Sequence, residues 1–284
     1  MEKSLLKSMF NTSKEPLIDF SLPEISIKAQ ALVGKLSISG VQPKLSVKFD
    51  KKTGTLIPAS EGGEYILKPQ PQAFIHLPEN EQCCMDIAAT LGIPTPEHCL
   101  LRLKDGSFAY IIKRFDLLNG EKIHQEDFSQ ILEKDKYDGS GEQIGKKLKE
   151  ISSAPGLDVQ LLFERVVLNF LVGNGDAHLK NYSVNYDKGV PVRLSPAYDI
   201  VCSKLVIPDE EDSALAINGR KNQLTRKDFE AFADYLKIPS KVRYSRFLGK
   251  DSLIKDLIRR SSLNLQEQEQ FLRIVQNRYE RLFQ

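Results

Sequence analysis

Asp176-Ala-His-Leu-Lys-Asn181, followed after a short polar hairpin by Pro196-Ala-Tyr-Asp199, is the stretch on which the reading of the fold turns. A phosphoryl-transfer site of the kinase type needs an aspartate that takes the proton of the attacking hydroxyl. Five residues on it needs an asparagine for one Mg²⁺, and beyond the next hairpin a second aspartate for Mg²⁺ across the β- and γ-phosphates. Asp176, Asn181 and Asp199 stand in that order. The pair Asp176 and Asn181 alone is an ordinary polar turn, since Asp and Asn favour such places; the aspartate past the hairpin is what gives the pattern weight. The spacing has a physical reason, because this chemistry is mostly positioning and charge neutralisation.

The flanking segments supply the supports. Leu161 to Val172 repeats large apolar residues at helical intervals, so a buried helix is expected to deliver the loop. Tyr182 to Tyr186 and Pro191 to Ser195 alternate around Asp187-Lys188-Gly189, a hairpin signal. Helical spacing also marks 126–133, 141–152, 225–236, 252–260 and 264–283, with a capping box expected at Thr225 and Asp228. The first part of the chain reads differently. Lys44 to Asp50, Glu64 to Lys68, His98 to Leu103 and Phe108 to Arg114 are strand-like, and one helix, 79–91, ends at Gly92. The expected architecture is therefore α+β and two-lobed like a protein kinase, with a β-rich amino-terminal lobe over 1–115 and an all-helical carboxy-terminal lobe over 116–284.

ATP also needs a cation for its phosphates, usually a strand lysine steadied by a glutamate on the helix behind the sheet. Lys68 closes the strand Tyr65-Ile-Leu-Lys68 and Glu81 lies in the helix that follows. There is no G-x-G-x-x-G between the first strands; the turn Leu36-Ser-Ile-Ser-Gly-Val-Gln-Pro-Lys44 offers hydroxyls, Gly40 and Lys44 where phosphates would lie. Ser37 and Ser39 are placed for self-modification, and a phosphoserine there would add about −1.5 to −2 charge against the nucleotide.

Bulk properties exclude several classes. With 284 residues the chain is long enough for a large core, and 40 basic against 38 acidic residues leave a net +2, too little to signal nucleic-acid binding. The late basic residues, Arg220 to Arg260, read as solvated helix faces. Four cysteines without C-x-x-C spacing indicate neither disulfide framework nor zinc site, which suits a reducing cytoplasm. No signal-peptide h-region or long uncharged apolar run is present, so no membrane contact is expected.

These residues resemble the HipA family of bacterial serine/threonine kinase toxins. The matching stretches are Ser37 to Lys44, Ile66-Leu-Lys-Pro69, Asn80-Glu81, Lys113-Arg-Phe-Asp116, Gln125-Glu-Asp127, Lys136-Tyr137, Asn174 to Asn181 and Pro196-Ala-Tyr-Asp-Ile200. The resemblance implies ATP with Mg²⁺, Asp176 as catalytic residue, Asn181 and Asp199 as metal ligands, Lys68 on the phosphates and adenine held by the backbone from Lys113 to Phe115. His178, two residues past Asp176, is expected to contact phosphate. Only 36 residues precede Ser37, so the amino-terminal subdomain of HipA is expected to be missing, and the Ser37-Ile-Ser39 loop resembles the HipT kinases of three-component systems. Partners of the HipS kind, which supplies that subdomain, and of the HipB kind, which binds DNA, are then implied, with DNA engaged only indirectly. An aminoacyl-tRNA synthetase is the implied substrate. The alternative is a nucleotide-binding pseudokinase or regulatory binding module.

Overall fold

The computed structural model describes residues 2–25, 43–187 and 189–284. Ser37, Ser39 and Gly40, and with them the expected serine loop, lie outside the described residues. The chain forms two compact units, Met1–Gln82 with Pro96–Lys122, and Cys83–Thr95 with Ile123–Gln284.

The first unit is built on five antiparallel strands: β1 (Leu45–Asp50), β2 (Thr55–Pro58), β3 (Tyr65–Pro69), β4 (His98–Arg102) and β5 (Phe108–Lys113). They run in the order β2-β1-β3-β5-β4. Strand alternation sends Tyr65 and Leu67 to one face, where they join Leu45, Val47, Cys99, Leu101, Ala109 and Ile111 in a buried core. Helix α1 (Lys3–Phe10) belongs to that core through Leu6, Met9 and Phe10. The opposite phase of β3 carries Lys68, whose register partner is Tyr110. Pro69 ends the strand as expected, although it still pairs with Ala109.

Helix α2 (Leu77–Thr90) starts in the first unit and finishes in the second. Its end is set by Gly92, in the left-handed region at φ +75°. Residues 83–95 go with the second unit because Ala197 N–H donates to the Pro94 carbonyl at 2.8 Å and Arg246 donates to the Leu91 carbonyl at 3.3 Å. The small hairpin β6 (Leu117–Leu118) and β7 (Glu121–Lys122) stays with the first.

In the second unit the expected helix over 126–133 is corrected. Gln125, Glu126 and Asp127 belong to a strand, β8 (His124–Asp127), and only α3 (Phe128–Ile131) is helical, opened by Asp127, whose carboxylate accepts from Gln130 N–H at 2.9 Å. β8 pairs with β9 (Ser183–Asp187), which pairs with β10 (Val190–Leu194), giving a three-stranded sheet. The unit is thus helical with a small sheet, not helical throughout. The remaining helices are α4 (Gly141–Ile151), α5 (Pro155–Leu171), α6 (Arg226–Tyr235), α7 (Asp251–Arg260) and α8 (Leu265–Phe283). The Asp228 carboxylate accepts from Thr225 N–H at 2.8 Å and from its hydroxyl at 3.0 Å, as the sequence suggested for the start of α6. None of the four cysteines is in a disulfide, and all are buried. Among the described residues no helix is long and apolar enough to cross a membrane.

Candidate active site

Helix α5 begins with Pro155, whose missing N–H costs nothing at the first helical position. From Leu161 to Leu171 it is buried on every side, so its position is fixed by packing all round. Gly173, at φ +70°, turns the chain out of the helix. The next residue returns to it: Asn174 N–H donates to the Asn169 carbonyl at 2.8 Å and Asn174 Nδ2 to Asn169 Oδ1 at 2.9 Å. Asn169 Nδ2 in turn donates to the Tyr182 hydroxyl at 3.1 Å. One amide on α5 therefore ties down both ends of the segment holding Asp176 and Asn181.

Between those ends the loop is closed by its own backbone. His178 N–H donates to the Asp176 carbonyl at 2.8 Å and to Asn181 Oδ1 at 2.9 Å, and Asn181 N–H returns a bond to the His178 carbonyl at 2.9 Å. Residues Leu179–Asn181 form a 3₁₀ turn. Gly175 N–H is taken by the Ser203 hydroxyl at 2.8 Å. Burial is the main cause lowering the His178 pKa, against the pull of Asp176, so the imidazole is neutral at physiological pH. Its Nδ1 is buried without a hydrogen-bond partner.

Asp199 follows the β9–β10 hairpin and sits in the left-handed region at φ +54°, a conformation that aspartate tolerates better than most residues. Asn181 and Asp199 line one small recess together with Arg165, Asn169, Asn174 and Tyr198. Among the described residues no group of three or more His, Cys, Asp or Glu side chains could hold a metal alone. One amide and one carboxylate on a shared wall suit instead a hard cation of the Mg²⁺ type, which draws most ligands from phosphate and water. The Asn181 amide oxygen, although it accepts from His178, retains a second lone pair for such a cation. The donor set fits the implied metal.

In the first unit, Lys68 and Glu81 are joined by a 2.5 Å salt bridge, with side chains 4% and 1% exposed. The ammonium also lies 5.5 Å from the centre of the Tyr110 ring. Lys113 spends its side chain on Glu97 at 2.6 Å, and its N–H on the Glu97 carbonyl at 2.8 Å. Arg114 N–H likewise goes to the Glu64 carbonyl, so neither amide is available as a donor to adenine. Phe115 is half-buried, and half-buried Lys44 immediately precedes β1.

Residues 36–274 match the family described as HipA-like C-terminal domain. The chain belongs to the HipA family. Among curated proteins it is 39% identical over 215 residues to “Putative kinase Y4dM” of Sinorhizobium fredii, covering 69% of this chain and 52% of that protein. It is 28% identical over 231 residues to the serine/threonine-protein kinase toxin HipA of Shewanella oneidensis, covering 72% and 52%. The chain spans about half the length of these curated relatives. The solved complex of Shewanella oneidensis HipA with HipB and operator DNA superposes with a TM-score of 0.70 at 23% identity, over 87% of this chain and 65% of the HipA-system chain. That likeness shows the fold, which is α+β and protein-kinase-like.

Three residues of this candidate site carry no signal in the sequence that would name their role. Tyr137 donates a hydrogen bond from its phenol to Asp176 Oδ1 at 2.8 Å; the stretch Lys136-Tyr137 belongs to the family resemblance, but nothing in it names a partner 39 residues away. Arg165 is fully buried on α5 and donates to the Ser195 carbonyl, yet its Nε and Nη1 make no hydrogen bond. Burial pushes its pKa down to about 10, so it remains charged at neutral pH. A lone Arg in a run of apolar helical residues was its only sequence signal. Glu210 packs on the Ser203 hydroxyl beside Gly175, and no local pattern pointed to it.

Proposed function

We propose that this chain is an ATP-dependent serine/threonine protein kinase. The observation that carries the reading is the common wall formed by Asn181, on the loop that leaves one buried helix and also carries a partly exposed Asp176, and by Asp199, which follows the next hairpin. Family membership and the names of the relatives support it. Asp176 accepts the proton of the substrate hydroxyl, within hydrogen-bond reach of a half-exposed position. Asn181 and Asp199 would hold Mg²⁺, which neutralises charge on the transferred phosphoryl group when bound. Lys68, steadied by Glu81, is assigned to the phosphates of ATP, and neutral His178 to a phosphate contact as hydrogen-bond donor. Lys44 and Gly40 are assigned to the phosphate loop. The adenine assignment narrows to carbonyl oxygens of Lys113 to Phe115 and to Phe115 itself, since two of the three N–H groups are engaged.

Finer parts of the reading rest on resemblance. The Ser37-Ile-Ser39 stretch supports a HipT-like kinase that labels its own serines and has a small HipS-like partner. The name of the toxin relative supports a toxin; action in the cytoplasm and an aminoacyl-tRNA synthetase as target class rest on the resemblance to the HipA family alone. The neighbour's complex with HipB and operator DNA supports a HipB-like partner that brings the kinase to DNA indirectly. The test is phosphoproteomics after brief induction of the wild type and Asp176→Asn, with purified chain, ATP and Mg²⁺ in parallel. Wild type should phosphorylate itself on Ser37 or Ser39 and one dominant cellular protein, and the variant neither. Nucleotide-dependent thermal stabilisation without any phosphoprotein would replace the kinase by a binding module.

A further inference from the structure

Tyr137 is the exposed aromatic residue that touches the proposed base, and the kinase reading gives it no part. Its side chain is 44% exposed, yet its place is fixed. Leu179 N–H donates to the Lys136 carbonyl at 3.0 Å, and Lys221 Nζ donates to the Tyr137 carbonyl at 3.0 Å, so the backbone is held on either side of the ring. The ring stands edge-on to His178 with centroids 5.4 Å apart, and the Lys136 ammonium lies 4.5 Å from its centre. From this anchored position the phenol reaches Asp176 Oδ1 at 2.8 Å. Burial raises the phenol pKa; the neighbouring Asp176 adds to the rise while Lys136 opposes it. The group is therefore protonated, and a donor, throughout the physiological range.

An aspartate carboxylate turns broadly about its last torsion and presents two equivalent oxygens. A general base, by contrast, must aim one lone pair at one proton. We propose that Tyr137 is a positioning residue of the phosphoryl-transfer site: its phenol fixes the Asp176 carboxylate through Oδ1, so that Oδ2 meets the hydroxyl of the protein substrate. This rests on the kinase reading of Asp176. In the transfer the substrate O–H bond breaks and its proton passes to Oδ2. The oxygen forms the new bond to the γ-phosphorus, and the bond from that phosphorus to the bridging oxygen breaks as ADP leaves. Tyr137 keeps its own proton throughout and touches no reacting atom.

The ring is also where a plug would sit, with the phenol standing in for the substrate hydroxyl, and Tyr137→Phe separates the two. The full chain is assayed for self-labelling with ATP and Mg²⁺, alongside Asp176→Asn and a tyrosine-¹³C NMR titration in which Tyr137→Phe identifies the phenol signal. A positioning role lowers the labelling rate of Tyr137→Phe by roughly tenfold, the loss of one hydrogen bond to a charged acceptor, and leaves the half-saturating ATP concentration unchanged. Asp176→Asn should bring the Tyr137 phenol back toward the ordinary tyrosine range, whether or not the protein is active. An unchanged rate in Tyr137→Phe, a faster one as a plug requires, or a phenol titration indifferent to Asp176→Asn overturns the proposal. Wild-type protein that labels nothing overturns the kinase reading itself, and this proposal with it; labelling that is equal in wild type and Tyr137→Phe overturns this proposal alone.

Discussion

Gly175 sits one residue before the proposed catalytic aspartate, and an alanine there should damage catalysis more than stability. A Cβ built at this position comes within 3.0 Å of the Glu211 carbonyl oxygen and 2.5 Å from Glu210 Oε2. Real Cβ atoms essentially never come closer than 3.0 Å and seldom closer than 3.4 Å, so something has to move by about half an ångström to one ångström. The Glu211 atom is backbone and cannot swing aside, and the Glu210 carboxylate is held by the Ser203 hydroxyl, which also accepts from Gly175 N–H. The movement therefore falls on the loop that carries Asp176 or on the segment from Ser203 to Glu211. Overpacking of this kind costs about 1–3 kcal/mol, which lowers the unfolding midpoint by roughly 4–8 °C for 2 kcal/mol in a unit of this size. A displacement of about 1 Å at a reacting group costs on the order of a hundredfold in rate. Gly175→Ala should thus fold, melt a few degrees early and label itself about a hundred times more slowly, measured by scanning calorimetry and radiolabelled ATP. Gly156→Ala is the control, since no atom lies within 4 Å of its Cβ position in the first turn of α5. If Gly175→Ala keeps both the wild-type midpoint and the wild-type rate, the loop does not need the close approach seen here.

Two further outcomes follow from buried charges. Lys68→Met takes the cation from a carboxylate only 1% exposed, which should cost about 3–5 kcal/mol in urea denaturation; Lys68→Met with Glu81→Leu should recover most of this and still label nothing. A double variant as unstable as the single one would place the loss elsewhere. Burial raises the Glu210 carboxyl pKa above the usual 4.5, with the charge of Asp176 adding to the rise and the Ser203 hydroxyl opposing it. The folded state therefore keeps this proton to higher pH than the unfolded chain, and the stability it contributes is present below the unfolded pKa and lost as pH rises through the folded one. The melting point of wild type should accordingly gain on that of Glu210→Gln as pH is lowered from about 7 toward 4.5, and a constant difference would show that the carboxyl titrates normally.

Elements whose signal is local were legible. The apolar spacing of Leu161 to Val172, the polar turn between Tyr186 and Pro191, and Thr225 with Asp228 each contain their own cause within a few residues. The helix expected from Glu126 gives way to a strand because the cause is distant: Gln125 to Asp127 alternate weakly, but become a strand through pairing with β9, where Gln125 Nε2 also donates to the Ser183 hydroxyl at 2.7 Å. No helical periodicity can report such a partner. The candidate site divides the same way. Asp176, Asn181 and Asp199 announced themselves by spacing, whereas Tyr137 and Glu210 reach the loop from other segments and are invisible until the chain is folded.

The polar residues of α5 show how such distant segments are brought into register. Asp158, Arg165 and Asn169 are seven and four residues apart, so they lie along one face of an otherwise apolar helix. Asp158 accepts from Arg193 at 2.9 Å, from Leu194 N–H at 2.9 Å and from the Ser152 hydroxyl at 2.6 Å, fixing β10. Arg165 takes the Ser195 carbonyl at the end of that strand, and Asn169 holds Asn174 and Tyr182. The same stripe thus sets both the segment bearing Asp176 and Asn181 and the one leading to Asp199. A buried guanidinium with two nitrogens lacking partners is a poor way to gain stability, because a hydrophobic side chain of similar volume would do as well or better. Its presence on the wall shared by Asn181 and Asp199 is accounted for if the helix is shaped to hold two loops at a fixed separation, with geometry and not cohesion as what that face of α5 provides.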